Sequence, residues 1–325
     1  MYTKIAVGGM SREEWLQLRK TGIGGSDAGA ICGLNPYSSP MAVYRDKVGE
    51  VQGGEEGREA IRQGHDLEEY VAQRFMEETG LRVRRSNYMY RSRENPFMIA
   101  DVDRLVTGED AGLECKTASA YNADKWKDGR IPLHYAMQCI HYMAVTGKKA
   151  WYLAVVILGQ EFKYYRLSWD DGLINGLIEV ERDFWENHVV SGNMTAPDGS
   201  KPCSEVLQQY FGTAKEGSMI ELIGFDEKLA RREEILSRIE ELEKEQNRIE
   251  QEVKLYMKDN ERAYSGKYCV SWTNVCTTRL DAKRIRQMMP EVYRDFATTS
   301  TLRRFQVKAA EGKGGFRDEE HSEVA

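Results

Sequence analysis

Apolar residues recur along the chain at two spacings, and the alternation between them predicts helices and strands in turn. In residues 57–79 they recur every three or four positions, with Ile61 and Phe75 on one face, which predicts a long helix. Ser11 and Glu14 have the spacing of a capping box, which predicts a helix that begins there. Further helices are predicted at 133–146 and 170–190, and strands at 86–92, 97–106, 111–117, 150–158 and 161–168.

The pattern changes after a segment rich in Gly, Asn, Pro, Asp and Ser at 192–202, which predicts a domain boundary. From 225 to 256 a three-four apolar spacing runs without a break except at Gln246, as in a coiled-coil-like helix. Whether this stripe packs within the chain or between chains stays open at this point. The predicted organisation is an α/β domain at 1–195, a linker with short elements at 196–224, the long helix and a basic α+β extension at 225–310, and a disordered tail at 311–325.

Composition excludes several classes of protein. Of 325 residues, 41% are hydrophobic and 10% aromatic, which is enough for a sizeable core and excludes a mainly disordered chain. The net charge of −6 argues against a histone-like protein held to DNA by bulk charge. It does not exclude local basic patches. Residues 82–93 hold five arginines and no acidic residue, and a second basic cluster lies at 279–308. Either is a candidate DNA contact or a solvated strand edge.

The sequence lacks the usual signals for a membrane or secreted protein, which predicts a cytoplasmic location. The longest apolar run, Trp151 to Leu158, is too short to span a membrane, and no secretory signal is recognisable at the start. Six cysteines are scattered without a CxxC pair, as expected for reduced thiols in a cytoplasmic protein.

The segment from 98 to 119 contains the strongest candidate chemistry. Glu114 and Lys116 are two residues apart on a predicted strand, so their side chains share one face. Asp103 belongs to the preceding strand, and the turn at 108–112 can bring its carboxylate beside Glu114. Two carboxylates can hold a hard divalent cation, and a lysine beside them can orient or deprotonate a water or stabilise charge on a phosphate. The alternative is a solvated hairpin with an ordinary ion pair.

Glu68 lies within the inward-facing arc of the predicted helix at 57–79. A carboxylate on a buried face is costly unless it is paired or ligates a metal. Glu68 is therefore either a third carboxylate of a metal site, as in two-metal hydrolysis, or the partner of a buried arginine or lysine.

Five motifs in this order resemble the YqaJ-like viral recombinase family, the phage alkaline exonucleases related to the lambda exonuclease. That family belongs to the PD-(D/E)xK nuclease superfamily, and the resemblance covers residues 10–195. It implies a restriction-endonuclease-like α/β core in which helices flank a mixed central β-sheet. The motifs are Arg19-x-x-Gly22-Ile23-Gly24-Gly25-Ser26-Asp27-Ala28, Gly64-x-x-x-Glu68, Ala100-x-x-Asp103, Glu114-x-Lys116 and Tyr135-x-x-Gln138-x-x-His141-Tyr142-Met143.

The resemblance implies roles for individual residues. Lys116 would be the catalytic lysine, and Gln138 would contact the scissile phosphate or the attacking water. The implied metal ligands are Asp103, Glu114, the Cys115 carbonyl and, for a second ion or its water, Glu68. The implied contacts to DNA and its 5′-phosphate are Arg19, Ser26, Tyr135 and Gln138.

The motif core reads Ala-Asp-Val-Asp at 100–103, in place of the more common version that contains proline. Asp101, on the same face of the predicted strand, therefore competes with Asp103 as a ligand. The extension after the core is a second departure, so the oligomeric ring of the compact nuclease is not implied here.

The resemblance implies a metal-dependent deoxyribonuclease that digests linear double-stranded DNA from 5′ ends and exposes 3′ single strands for phage-type recombination. Its cofactor would be Mg²⁺ or Mn²⁺, with two ions expected. Its partners would be DNA ends, a single-strand annealing protein and further copies of the chain, in the cytoplasm of a bacterial host. The alternatives are an endonuclease, a nuclease that acts on single strands, and a non-catalytic DNA-binding recombination adaptor.

Overall fold

The computed structural model describes residues 2–49, 58–300 and 302–307. The chain forms two compact units, residues 1–211 and residues 212–325. The predicted tail at 311–325 and the side chain of Ile61 lie outside the described residues.

The first unit alternates helices and strands, as predicted. Its elements are β1 (Tyr2–Ala6), α1 (Arg12–Lys20), α2 (Gly25–Ile31), α3 (Pro40–Lys47), α4 (Arg58–Thr79), β2 (Val83–Arg85), β3 (Tyr88–Ser92), β4 (Ile99–Asp101), β5 (Arg104–Val106), β6 (Ala111–Ala118), a 3₁₀ turn (Ala120–Trp126), α5 (Leu133–Thr146), β7 (Ala150–Ile157), β8 (Glu161–Ser168), α6 (Asp171–Phe184), a π-helical turn (Trp185–Val190) and α7 (Lys201–Tyr210). The predicted capping box is present, since Ser11 and Glu14 bond each other's backbone at the start of α1.

A mixed sheet of five strands in the order β2-β5-β6-β7-β8 forms the centre, and only the β6–β7 pair is parallel. A second, antiparallel sheet has the order β1-β3-β4. The predicted fold class, a mixed central sheet flanked by helices, is confirmed.

One predicted strand is wrong. Residues 97–106 do not form a single strand, because the chain leaves one sheet at Asp101 and enters the other at Arg104. Apolar residues lie on both sides of this break, Ile99 and Ala100 before it and Leu105 and Val106 after it, so apolar content alone does not show it. The helix predicted at about 170–190 is present, as α6 to Phe184 followed directly by the π-helical turn to Val190. β1, α2, α3 and α7 were not predicted individually, because each is too short to show a clear apolar period.

The central sheet is covered on both faces. Trp151, Leu153 and Val155 of β7 point into the larger core, which includes Cys139 and Met143 of α5. The intervening residues of β7, together with residues of β6, pack against α4 on the other face. That smaller core contains Val71, Ala72, Phe75, Val106, Ala111, Leu113, Cys115, Ala150, Tyr152 and Ala154. Glu114 and Lys116 alternate with Leu113 and Cys115, so they face the α5 side of the sheet.

The second unit contains α8 (Asp226–Met257), the hairpin β9 (Arg262–Ser265) and β10 (Tyr268–Ser271), and the short helices α9 (Ala282–Met288) and α10 (Pro290–Phe296). The long helix predicted from 225 to 256 is present as α8. Within the described part of the chain, no helix combines the length and apolar character needed to cross a membrane.

Candidate active site

Asp103 lies in the break between β4 and β5, at the point where the chain passes from one sheet to the other. The β5–β6 register pairs Arg104 with Leu113, which brings the neighbouring Asp103 beside Glu114 and Cys115. The backbone N–H of Cys115 donates to Asp103 Oδ2 over 2.8 Å. Asp103 is therefore not part of either strand, and its side chain accepts a hydrogen bond from the backbone of β6.

Glu114, Lys116 and Gln138 form one contact network. Lys116 Nζ lies 2.6 Å from Glu114 Oε1, and the same oxygen accepts a hydrogen bond of 2.7 Å from Gln138 Nε2. Gln138 Nε2 also donates to the Tyr142 hydroxyl over 2.8 Å, one helical turn further along α5. The structure thus brings together four residues that the sequence placed in the site: Asp103, Glu114, Lys116 and Gln138.

Burial sets the protonation of this group. It raises the pKa of Asp103 well above its usual range, and the Glu114 and Glu68 carboxylates raise it further. Burial also raises the pKa of Glu114, although Lys116 opposes that effect. Burial by itself would lower the pKa of Lys116, but the two carboxylates outweigh it and raise that pKa. Lys116 is therefore protonated at neutral pH and supplies a fixed positive charge.

The donor set fits a divalent cation. Glu114 Oε2 is buried and has no hydrogen-bond partner within the described residues, and the partly buried carboxylate of Asp103 lies beside it. Two carboxylates held close together are stabilised by a cation that binds oxygen atoms. No three His, Cys, Asp or Glu side chains within residues 2–49, 58–300 and 302–307 are arranged to hold a metal ion. Further ligands would come from other oxygens, such as the Cys115 carbonyl; burial raises the pKa of the Cys115 thiol, which disfavours a thiolate ligand.

Glu68 is paired with a buried arginine, which is one of the two alternatives that the sequence left open. Its Oε1 atom contacts the guanidinium of Arg104, whose side chain is only 3% exposed. Arg85 lies 3.7 Å from the same oxygen. Glu68 is nevertheless close enough to the site to raise the pKa of both Asp103 and Glu114.

Arg19 and Ser26 also come together. Arg19 donates to the Ser26 hydroxyl over 2.9 Å, and it lies 3.4 Å from Asp27. Asp27 accepts from the backbone of Gly24 at the start of α2 and is 2.6 Å from Lys47, whose side chain is fully buried. Sequence reasoning missed Asp27 and Lys47. The spacing of Asp27 from Gly24 is a usable capping signal, whereas nothing local marks Lys47 on α3.

A cavity of ≈ 130 Å³ lies beside Arg19 and Ser26, with Trp15, Asp101 and Tyr142 in its wall. Tyr142 connects this cavity to the carboxylate site, because its hydroxyl accepts the hydrogen bond from Gln138. Asp101 accepts a hydrogen bond of 2.9 Å from the Trp15 indole. Asp101 thus lines the cavity, whereas Asp103 lies in the carboxylate site beside Glu114. These contacts favour Asp103 over Asp101 as the metal ligand.

The close approach of α2 to α5 requires glycine. A Cβ on Gly25 would lie 2.5 Å from the Tyr142 ring, and one on Gly29 would lie 2.8 Å from the backbone of His134. These glycines let the start of α2, with Ser26, lie against the helix that carries Gln138. This gives a packing reason for the glycine-rich segment at 22–33.

Tyr135 supports the lysine and does not line the Arg19 cavity. Lys116 Nζ lies 4.8 Å from the centre of the Tyr135 ring, and Trp126 stacks on that ring at 5.8 Å. A ring held in this way limits where the ammonium group of Lys116 can lie.

The basic segment at 82–93 is only partly a free surface. Tyr90 is buried in the core, and Arg91 donates to the backbone oxygens of Thr21 and Pro96. Arg85, 60% exposed at its side chain, lies against Glu68. Part of this segment therefore stabilises the fold.

Comparison with known proteins gives three similarities. Residues 14–149 match the model of the YqaJ-like viral recombinase domain. The uncharacterized protein YqaJ of Bacillus subtilis (strain 168) is 38% identical over 303 residues, which are 92% of this chain and 95% of that protein. The alkaline exonuclease LHK-Exo from Laribacter hongkongensis, in two crystal structures, is 19% identical. One covers 56% of this chain and 94% of that chain with a TM-score of 0.47. The other, in complex with dAMP, covers 61% and 97% with a TM-score of 0.48.

Proposed function

Because the chain belongs to the YqaJ-like viral recombinase family of phage-type DNA nucleases, we propose that it digests linear double-stranded DNA from 5′ ends and leaves 3′ single strands. The observation that supports this most directly is the partly buried group of Asp103, Glu114 and Lys116, connected through Gln138 and Tyr142 to the cavity of Arg19 and Ser26. A site of the metal-hydrolysis type beside a cavity lined by a guanidinium and a hydroxyl suits removal of nucleotides from a chain end.

Asp103, Glu114 and the Cys115 carbonyl would hold a divalent cation, with Mg²⁺ as the expected ion and Mn²⁺ as a substitute. A divalent ion held there would polarise a phosphate oxygen and lower the pKa of a water. Lys116, protonated and held by Glu114 and Tyr135, stabilises the negative charge that develops on the phosphate. Gln138, fixed by Glu114 and Tyr142, orients the scissile phosphate or the attacking water.

Arg19 and Ser26 would bind the 5′-phosphate of the strand that is digested. A guanidinium and a hydroxyl 2.9 Å apart offer donors to adjacent phosphate oxygens. Asp27 and the buried Lys47 keep this pair in place.

The family also suggests the protein's setting. We place it in the cytoplasm of a bacterial host, acting with a single-strand annealing protein that covers the exposed 3′ strand. A homo-oligomer would keep the enzyme on its substrate through successive cleavages.

The test uses labelled linear duplex, with or without a 5′-phosphate, in Mg²⁺ or in a chelator. We expect release of nucleotides from the linear duplex only with Mg²⁺, and faster release when the 5′ end is phosphorylated. Arg19→Met should remove the preference for the phosphate, whereas Glu114→Gln should lower release at either end by at least about 100-fold.

Closed-circular duplex separates this proposal from its alternatives. Cutting of the circle would identify an endonuclease, and release from single strands alone would identify a single-strand nuclease. Binding of duplex with no Mg²⁺-dependent release would instead indicate the recombination adaptor.

A further inference from the structure

Arg104 is held almost completely inside the protein by acidic partners. One of its guanidinium nitrogens contacts Glu68 Oε1 and donates to the backbone oxygen of Asp103 over 2.8 Å. The other donates to Glu69 Oε2 over 2.9 Å. With three acceptors and a side chain 3% exposed, this guanidinium has a fixed position between α4 and the start of β5.

Glu68 is the carboxylate that a second cation would need. Among the residues that the structure describes, the site has two other carboxylates, those of Asp103 and Glu114, and both are used by the first cation in the proposed function. Glu68 forms an ion pair with Arg104, and its side chain is 17% exposed. A cation that bound Glu68 through Oε1 would compete with Arg104 for that oxygen, and one bound through either oxygen would lie beside the fixed positive charge of the guanidinium, which is costly in a partly buried site.

The formal charges of the side chains around Glu68 and Glu114 also disfavour a second cation. The group contains four carboxylates, of Asp103, Glu114, Glu68 and Glu69, and three basic side chains, of Lys116, Arg104 and Arg85. One divalent cation already outweighs the single remaining negative charge before the substrate binds. A second would leave three uncompensated positive charges in a partly buried site, beside the fixed ammonium of Lys116.

We propose that Arg104 takes the place of a second metal ion on Glu68, so that this chain holds one divalent cation, between Asp103 and Glu114. The inference rests on the proposed function and narrows it, since the family resemblance by itself implies two ions. Arg104 then acts as a positioning residue, which fixes the backbone of Asp103 and the charge of Glu68.

The test counts bound Mn²⁺ on the full chain, by calorimetry and by electron paramagnetic resonance, without DNA. The wild type should bind one Mn²⁺ per chain. Glu68→Gln should still bind one, with an affinity within about threefold, whereas Asp103→Asn should lose it. Arg104→Met should admit a second ion on the freed Glu68, and Arg85→Met, which alters the more exposed arginine beside Glu68, should bind one.

Two bound ions in the wild type, with one lost in Glu68→Gln, would overturn this inference and leave the proposed nuclease intact. No bound ion in the wild type would contradict both. A folded Arg104→Met that still binds one ion would show that Arg104 does not limit the site. If that variant fails to fold, the comparison of the wild type with Glu68→Gln decides the question.

Discussion

The helices α4 and α8 carry the same kind of apolar stripe in different surroundings. In α4, Val71, Ala72 and Phe75 are fully buried against the central sheet. In α8, the stripe residues Ile239, Leu242 and Ile249 remain about half exposed. Periodicity therefore predicts a helix equally well in both places, but it does not show whether anything in the chain covers the stripe.

Ion pairs differ between the two units in the same way. Lys116 and Glu114 lie 2.6 Å apart with the Glu114 side chain 3% exposed, and their neighbours shift the pKa of both groups. Lys254 and Glu250 lie 3.3 Å apart on α8, with both side chains more than 40% exposed. Water screens the second pair, so we expect function to depend on the first alone.

The largest expected effect compares these two lysines. Lys116→Met should lower nucleotide release from linear duplex by at least about 100-fold, because it removes the fixed positive charge at the phosphate. Duplex binding, measured by fluorescence anisotropy, should remain nearly unchanged. Lys254→Met, the matched control on α8, should keep the wild-type rate, and a wild-type rate for Lys116→Met would refute the assignment.

A second comparison uses leucines of different burial. Leu153→Ala in β7 removes a side chain with 0% exposure and should lower the free energy of unfolding of the first unit by about 2 to 5 kcal/mol. Leu242→Ala on α8, where the side chain is 51% exposed, should cost less than about 0.5 kcal/mol. Urea unfolding followed by tryptophan fluorescence and circular dichroism measures both. A large, concentration-dependent loss for Leu242→Ala would instead show that a second copy covers the stripe.

The smallest expected effect is a dependence of the protein's stability on pH, measured without divalent ions. Because the pKa values of Asp103 and Glu114 are raised in the folded protein, their contribution to stability is full at acid pH and is lost as the pH rises through those raised values. Each pKa unit corresponds to about 1.4 kcal/mol. Asp103→Asn should therefore melt higher than the wild type at about pH 7, and this advantage should shrink towards about pH 4.

Glu250 on α8 is the contrasting group, because its pKa is lowered by Gln246 and Lys254 and its side chain is in solvent. Glu250→Gln should leave the melting temperature unchanged across the same range. Equal pH profiles for the wild type and Asp103→Asn would show that burial does not shift the carboxyl of Asp103.

Local patterns were enough to predict much of the molecule. The capping box at Ser11 and Glu14, the helices α4, α5 and α8, and the shared face of Glu114 and Lys116 all follow from contacts or periods within a few residues. The order of the motifs was enough to suggest the family, and the comparisons confirm it. The proposed roles of the site residues and the domain boundaries stay predictions.

Only the tertiary structure decided the remaining features, because they depend on residues far apart in the chain. The spacing in the sequence does not show whether Asp101 or Asp103 is the ligand. The tertiary contacts distinguish them, because the Trp15 indole donates a hydrogen bond to Asp101 and the backbone N–H of Cys115 donates one to Asp103. The strand break between them reflects a change of sheet, which the apolar period does not record. From the sequence, Glu68 is either a carboxylate of the metal site or the partner of a buried arginine or lysine. It contacts Arg104, 36 residues away, because folding places α4 against the start of β5, where the buried guanidinium of Arg104 is stabilised by a carboxylate.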